Sequence, residues 1–432
     1  MDISELYSLF LHYPQITTDS RTCRSGSLFF AIKGKNFDGN SFAGQALAHG
    51  ADYAVIDNAG YYTGERTVLV DDVLKTLQHL ARKHRRMLGL PVIGITGTNG
   101  KTTTKELLAA VLSAKFNLLY TQGNLNNQLG VPLTLLRLTR EHEMAVIEMG
   151  ASRKGDIAEL AEIAQPDYGI VTNVGRAHLE GFGSFDNVVS TKAELYDYIR
   201  RTGGVVFIKK ESKELQAMAE GIEQVTYGTS DDAFASGHAF GNSPLLVFDW
   251  KQQGKVHMVE TSLVGAYNLD NVMAAVCAGR YFKVPAERIS RAIASYEPSN
   301  NRSQLKKTPS NSLIIDAYNA NPDSMKAAIS NFALMRHDGP RAVILGDMKE
   351  LGSDSLRLHE EVIGEVEACG FDHVILAGGE FTRAAAECAC DAAVYPSAES
   401  LTEALRLAPL KGFCILIKGS RGMEMEQVVE VL

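Results

Sequence analysis

A chain of 432 residues, 45% hydrophobic and 22% charged, has the make-up of a globular protein of roughly two to four domains. Its net charge of −8 and pI of about 5.8 speak against a nucleic-acid binder, yet leave room for a local basic pocket that holds an anionic substrate. No run nears the ~18 apolar residues of a membrane span, and the start, MDISELYSLFLHYPQ, lacks the basic leader and cleavage site of a signal peptide.

Residues 1–87 carry short strand-like runs, SLFFAI at 27–32, ADYAVI at 51–56 and RTVLVDD at 66–72, and end in the helical stretch VLKTLQHLARKHRRML. From 88 to 298 the rhythm is strand, loop, helix. LPVIGIT, MAVIEMG, YGIVTNVG and GGVVFI are apolar runs of the buried-strand type. KTTTKELLAAVLSAKF and NLDNVMAAVCAGRYF have helical spacing. YEPSNNRSQ at 296–304 is a linker by its Pro, Ser and Asn. From 299 to 432 the alternation restarts with SLIIDAYN, RAVILGD, DHVILAGG and FCILIKGS. This predicts an α/β protein of mostly parallel sheets, with ligands at the carboxyl ends of strands. The six cysteines form no C-x-x-C pair and read as reduced thiols of a cytoplasmic enzyme.

The stretch GITGTNGKTTTKELLAAVL at 94–112 is one glycine short of a phosphate-binding loop, with Ile95 where the first glycine belongs. It still joins a strand to a helix, and Gly97 and Gly100 let the backbone approach an anion at the helix N-terminus. Thr98, Asn99 and Thr103 flank the contact, Lys101 reaches for outer phosphates, and Thr102 offers a hydroxyl to magnesium. Glu148, closing the strand AVIE, is either a magnesium carboxylate or a cap. Asn173 and His178 follow the next strand; a single histidine is more often structural than a ligand. Lys192 and Glu194 lie on a helix, where a lysine read alone is a solvated one.

TGTNGKTT, VIEMGAS, TNVGRAHLEGFGS and TKAE, in that order, resemble the ATP-dependent Mur ligases of bacterial cell-wall synthesis. TDSRTCRSGSLFFAIKGKNFDGNSF, TQGNLNNQLGVPLTLLRL, DAYNANPDSM, VILGDMKELG and LIKGSRGMEME extend the likeness over nearly the whole chain. They resemble the branch that adds D-alanyl-D-alanine. The Asp-Asn-Pro-Arg signature of the branch that adds a diamino acid is replaced by YNANPDS. The resemblance implies three domains: a small N-terminal α/β domain for the UDP-sugar peptide, a central ATPase of P-loop type, and a C-terminal Rossmann-like domain without a G-x-G-x-x-G loop.

It also implies roles. ATP would meet the 97–103 loop, Asn268, Asn271, Arg302 and Asp316. Two magnesium ions would be held by Thr102, Glu148, His178 and a carbamylated Lys192. The linker Gly-Arg frequent in the family is here Asn301-Arg302; asparagine tolerates left-handed backbone angles, so the turn can survive. UDP-MurNAc-tripeptide would meet Ser20 and Arg21, with Asn124, Asn126 and Asn127 along its peptide, while Lys33, Asn36, Phe37 and Asp38 either line the same pocket or form a polar hairpin turn. Tyr318, Asn319 and Asn321 either position D-Ala-D-Ala and the nucleotide or, with the proline, simply build a turn, and Asp347 would place the incoming amine. Lys418, Ser420 and Arg421 either bind the dipeptide carboxylate or form a plain loop. The partners are small molecules, with no nucleic acid and no membrane, and a monomer is expected. Competing readings are a related ligase such as folylpolyglutamate synthetase, a P-loop kinase or switch, and a non-catalytic nucleotide-dependent module.

Overall fold

The structure, a computed structural model, describes every residue except His178, Asn242, Asn300 and Asp338. Among the described residues the strands form three sheets in a three-domain α/β architecture. The first has four parallel strands in chain order, Gln15–Thr17, Ser27–Phe30, Tyr53–Ile56 and Thr67–Leu69. The helix Val73–Leu88 then leads out of it. Asp72 starts that helix by accepting the Lys75 N–H at 2.8 Å, and Gly89, at φ 66°, ends it. Its buried face, Val73, Leu77, Leu80 and Ala81, belongs to one continuous apolar core with Leu6 and Phe10 of the first domain and Leu135 and Leu160 of the central one.

The second sheet has nine strands. Its parallel part runs, in spatial order, Glu223–Gly228, Val205–Lys209, Tyr168–Val171, Val92–Thr96, Met144–Glu148 and Leu118–Tyr120. The strands Ala235–Phe240, Leu245–Gln252 and Lys255–Val264 continue it as an antiparallel meander. The amino-acid pattern alone did not anticipate that meander. Leu245–Gln252 alternates buried with half-exposed residues along most of its length, unlike the continuous apolar runs of the parallel strands. The third sheet runs Gln304–Lys307, Ser312–Asp316, Cys414–Lys418, Arg341–Gly346, His373–Ala377 and Ala393–Tyr395, with only the first strand antiparallel.

In the central sheet, Val92–Thr96 lies between Met144–Glu148 and Tyr168–Val171. The carboxyl ends of these three strands therefore emerge side by side. They deliver the 97–100 loop, Glu148 and Asn173 to one edge, where parallel α/β sheets bind ligands.

Candidate active site

The 97–100 loop is built by its glycines. Gly97 has φ 144° and Gly100 φ 78°, and a Cβ on Gly100 would stand 2.4 Å from Asn271 Oδ1. The next segment braces the loop: Thr98 N–H donates to Asn173 O at 3.0 Å, and Asn99 N–H to Asn173 Oδ1 at 2.9 Å. Lys101 opens the helix Lys101–Ser113, and its Nζ donates to the carbonyls of Gly97 and Thr98 at 2.8 and 3.0 Å. Enclosure pulls its ammonium down to about 8, with Glu148 opposing and Arg302 adding to the shift. On the far side, Asn271 accepts from Thr104 Oγ1 at 3.1 Å and donates to Asn268 Oδ1 at 2.8 Å.

Glu148 is 1% exposed. Its Oε1 accepts from Thr102 Oγ1 at 3.2 Å and from Asn126 Nδ2 at 2.9 Å, whereas the buried Oε2 has no hydrogen-bond partner among the described residues. Lys105 Nζ stands 3.9 Å from that oxygen and 2.8 Å from Glu106 Oε1, and the lysine is wholly buried. An orphaned buried carboxylate oxygen beside a threonine hydroxyl suits a hard divalent cation. No trio of His, Cys, Asp and Glu side chains gathers there among the described residues. A donor set this sparse fits magnesium, which takes most of its ligands from phosphate and water.

Lys192 overturns the solvated-lysine reading. It lies on the apolar stripe of the helix Phe185–Thr202, in register with Val188, Leu195 and Ile199, and is 2% exposed. Burial lowers its ammonium to about 7, the Lys101 charge helps, and Glu194 and Asp156 oppose. Phe182 lies with its ring centre 5.7 Å from Nζ. Glu194 serves the fold, accepting the Gly155 and Ala158 N–H groups at 2.7 and 2.8 Å. His178, expected as a metal ligand, lies outside the described residues.

The third domain closes the site. Asn301 has φ 56°, so the Asn-Arg linker takes the left-handed turn the sequence requires of it. Arg302 stacks 3.5 Å from the centre of the Tyr318 ring, with Arg421 at 5.2 Å. Its Nε is buried and without a hydrogen-bond partner among the described residues. Asp316 is tied to Lys418 Nζ at 2.5 Å and accepts the Ser303 N–H at 3.3 Å. A cavity of about 630 Å³ is lined jointly by residues 98–103, Asn124, Asn126, Asn127, Glu148, Asn268, Asn271, Arg302, Asp316, Tyr318 and Asn319. Residues expected to meet ATP, the muramoyl peptide and the dipeptide thus share one space. Lys418 lines it too, as do Asn173, Asp156 and Tyr267. Asp156 and Tyr267 were missed, as was Lys105, because single polar residues on helices carry no spacing signal.

Other expected residues lie elsewhere. Asn321 is not a cavity residue: it N-caps the helix Pro322–Leu334 and exchanges hydrogen bonds with Asn99, its Nδ2 donating at 2.7 Å and its Oδ1 accepting at 3.3 Å. Asp347 is also withdrawn from the cavity. It is 1% exposed and its carboxylate accepts the Glu380 and Phe381 N–H groups at 3.1 and 2.9 Å. The GDMKELG loop it begins is a contact surface, where Glu350 O accepts the Glu180 N–H at 3.2 Å. Ser420 holds that loop by accepting the Lys349 N–H at 2.9 Å. In the first domain Ser20 is buried against Gln45, and Asp38 caps Asn40. Lys33 pairs with Asp57 at 2.9 Å and Arg21 with Asp19 at 2.7 Å, both with exposed side chains. Asn36 and Phe37 are exposed. None of these six lines the cavity.

Comparison with known proteins places this geometry. Three family models match in succession: the catalytic domain of the Mur ligase family at 12–85, the Mur ligase middle domain at 95–279, and the Mur ligase glutamate ligase domain at 301–421. The UDP-N-acetylmuramoyl-tripeptide–D-alanyl-D-alanine ligase of Bacillus subtilis (strain 168) is 34% identical over 96% of this chain and 92% of its own. The chain belongs to the Mur ligase family. Among solved Mur ligases, MurF from Acinetobacter baumannii superposes with a TM-score of 0.87 at 30% identity, over 96% of this chain and 92% of that one. The MurF ligase of Thermotoga maritima in complex with ADP gives 0.86 at 28% identity, over 98% and 97%.

Proposed function

We propose that this Mur ligase joins D-alanyl-D-alanine to the terminal carboxylate of UDP-MurNAc-tripeptide, splitting ATP to ADP and phosphate. The product is the UDP-MurNAc-pentapeptide precursor of peptidoglycan, made in the cytoplasm where ATP is supplied, by a chain acting as a monomer. The observation that carries this reading is the single cavity in which the phosphate loop, Glu148 and the third-domain residues Arg302, Asp316, Tyr318 and Asn319 meet. Likeness to D-alanyl-D-alanine ligases over nearly the whole chain supports the choice of substrates. A kinase or switch has no need of the 299–432 domain. In this reading residues 1–87 hold the nucleotide sugar, 88–298 the ATP, and 299–432 the dipeptide.

An amide does not form from a carboxylate and an amine in water without activation. The tripeptide carboxylate attacks the γ-phosphorus of ATP, ADP leaves, and an acyl phosphate forms. The neutral amine of D-Ala-D-Ala then attacks the acyl carbon, the tetrahedral intermediate expels phosphate with the bonding electrons, and the nitrogen gives up one proton, which phosphate or water takes. The first step brings two anions together. Lys101 and the loop N–H groups at the helix N-terminus neutralise the phosphates as they meet. Arg302 and Asp316 reach the phosphates and ribose from the third domain, and Asn268 and Asn271 flank the adenine. Asn124, Asn126 and Asn127 line the approach of the muramoyl peptide. Arg21 and Lys33, whose side chains are exposed, present charge to the diphosphate. Tyr318 and Asn319 place the dipeptide.

Thr102 and Glu148 would hold one magnesium ion, and Glu148, His178 and a carbamate on Lys192 a second; when bound they would screen phosphate charge. A buried amine near neutrality is the form that adds CO₂, which turns a cation into an anion able to face a metal. The test is ADP release from the purified chain with each of ATP, magnesium, UDP-MurNAc-tripeptide and D-Ala-D-Ala omitted in turn. Turnover that needs all four supports the ligase. Equal turnover without D-Ala-D-Ala contradicts it.

A further inference from the structure

A second cavity, of about 910 Å³, lies at the seam between the first and central domains. Among the described residues it shares no lining residue with the cavity at the phosphate loop. Phe10 and Ile16 of the first domain and Leu88, Leu125, Leu133 and Leu136 beyond it give it an apolar body.

Its charge is one-sided. Arg24, Arg137 and Arg140 stand at its rim, all exposed, and no carboxylate lines it among the described residues. The chain as a whole carries a net charge of −8, so three arginines facing one apolar space run against its average. The wall also holds a fixed polar pair. His84 Nε2 lies 2.9 Å from Leu138 O, which can only accept, so Nε2 carries the proton and Nδ1 accepts from Tyr7 Oη at 3.2 Å. Tyr7 belongs to the first domain, His84 to the connecting helix and Leu138 to the central domain, so this chain of hydrogen bonds crosses the seam. Phe10 meets the His84 ring edge-on, with centroids 5.0 Å apart.

We propose that this seam cavity binds a small amphipathic anion, an apolar chain or ring system with one carboxylate or sulfonate head, and that the occupant bridges the two domains. The apolar body lies against the leucines and Phe10 and leaves water. The head meets Arg140 and Arg137 at the rim, where guanidinium groups pair with carboxylate or sulfonate oxygens. The site is separate from the residues proposed above for ATP, nucleotide sugar and dipeptide.

The test titrates the full chain with anilinonaphthalene sulfonate, following its fluorescence, and then displaces it with decanoate and with decanol. The expected result is one saturable site per chain, emptied by decanoate at concentrations at least ten-fold below those needed of decanol. The double variant R137E/R140E, at two exposed positions, weakens binding at least ten-fold while ADP release by the four-component reaction is unchanged. Leu136→Trp, which crowds the apolar body of the cavity, weakens binding at least ten-fold. Unsaturable fluorescence, equal displacement by decanol, or indifference to R137E/R140E overturns the proposal. So does displacement by UDP or ATP at matching concentrations, which would assign the probe to the substrate path.

Discussion

Asn321→Ser separates two roles that one side chain performs. Asn321 caps its helix, accepting the Ser324 N–H at 2.9 Å, and pairs across the domain boundary with Asn99 of the phosphate loop. Serine caps a helix about as well as asparagine, so the third domain keeps its stability. It is one bond too short to reach Asn99, so both inter-domain hydrogen bonds go. One is short, at 2.7 Å, and the other long, at 3.3 Å. At about 0.5–1.5 kcal/mol net for each such bond, the pair contributes about 1.5 kcal/mol to the closed arrangement. Since ~1.4 kcal/mol is a factor of ten, kcat/KM for ligation falls about ten-fold with an unchanged melting temperature. Asn99→Ala removes the same pair from the other side. Its backbone bonds to Asn173 and Thr172 remain. The double variant therefore falls no further than either single one, a coupling of about 1.5 kcal/mol. Single losses that multiply in the double variant, or a serine variant with full activity, would refute the reasoning.

Four further outcomes follow from the site. Lys192→Ala loses nearly all ligation and regains part of it with added short carboxylic acids, whereas a purely structural lysine gives no rescue. Burial also puts the Lys192 ammonium near 7 instead of 10.5. Between those values the unfolded chain holds the extra proton, so bicarbonate-free protein gains stability as pH rises through that window, and thermal melts of wild type against Lys192→Met check the sign. Gly100→Ala forces alanine into a left-handed angle at about 1–2 kcal/mol and pushes Asn271 off Thr104 and Asn268, raising the KM for ATP ten-fold or more in steady-state assays. Arg302→Lys keeps the charge but loses the planar stack on Tyr318, so the KM for ATP rises several-fold; an unchanged KM would remove Arg302 from the nucleotide site.

Much of the site was legible because its residues come as local motifs at strand ends. The run VIGIT followed by GTNGKTT specifies a strand, a glycine turn and a helix start, and the fold adds only which neighbours brace it. The Asn301 turn was legible for the same reason, since its backbone angle is a property of the residue. The places where sequence failed are those set by tertiary packing. DAYNANP reads as one polar turn, yet Tyr318 and Asn319 face the cavity while Asn321 turns to the helix and to Asn99. Asp347 looks like a free acid until the helix starting at Gly379 is seen to take its oxygens. Lys192 reads as solvated until the apolar stripe of its helix is packed. The antiparallel meander at 235–264 was hidden by half-exposed strands, whose pattern is weaker than a buried run.

The most direct measurement follows oxygen from the muramoyl peptide into phosphate. UDP-MurNAc-tripeptide carrying oxygen-18 in its terminal carboxylate is incubated with the chain, ATP, magnesium and D-Ala-D-Ala, and phosphate and peptide are examined by mass spectrometry. An acyl phosphate on the path to the pentapeptide predicts one labelled oxygen in the released phosphate and one retained in the new amide. Pentapeptide formed with unlabelled phosphate, or labelled phosphate with no pentapeptide, would contradict it.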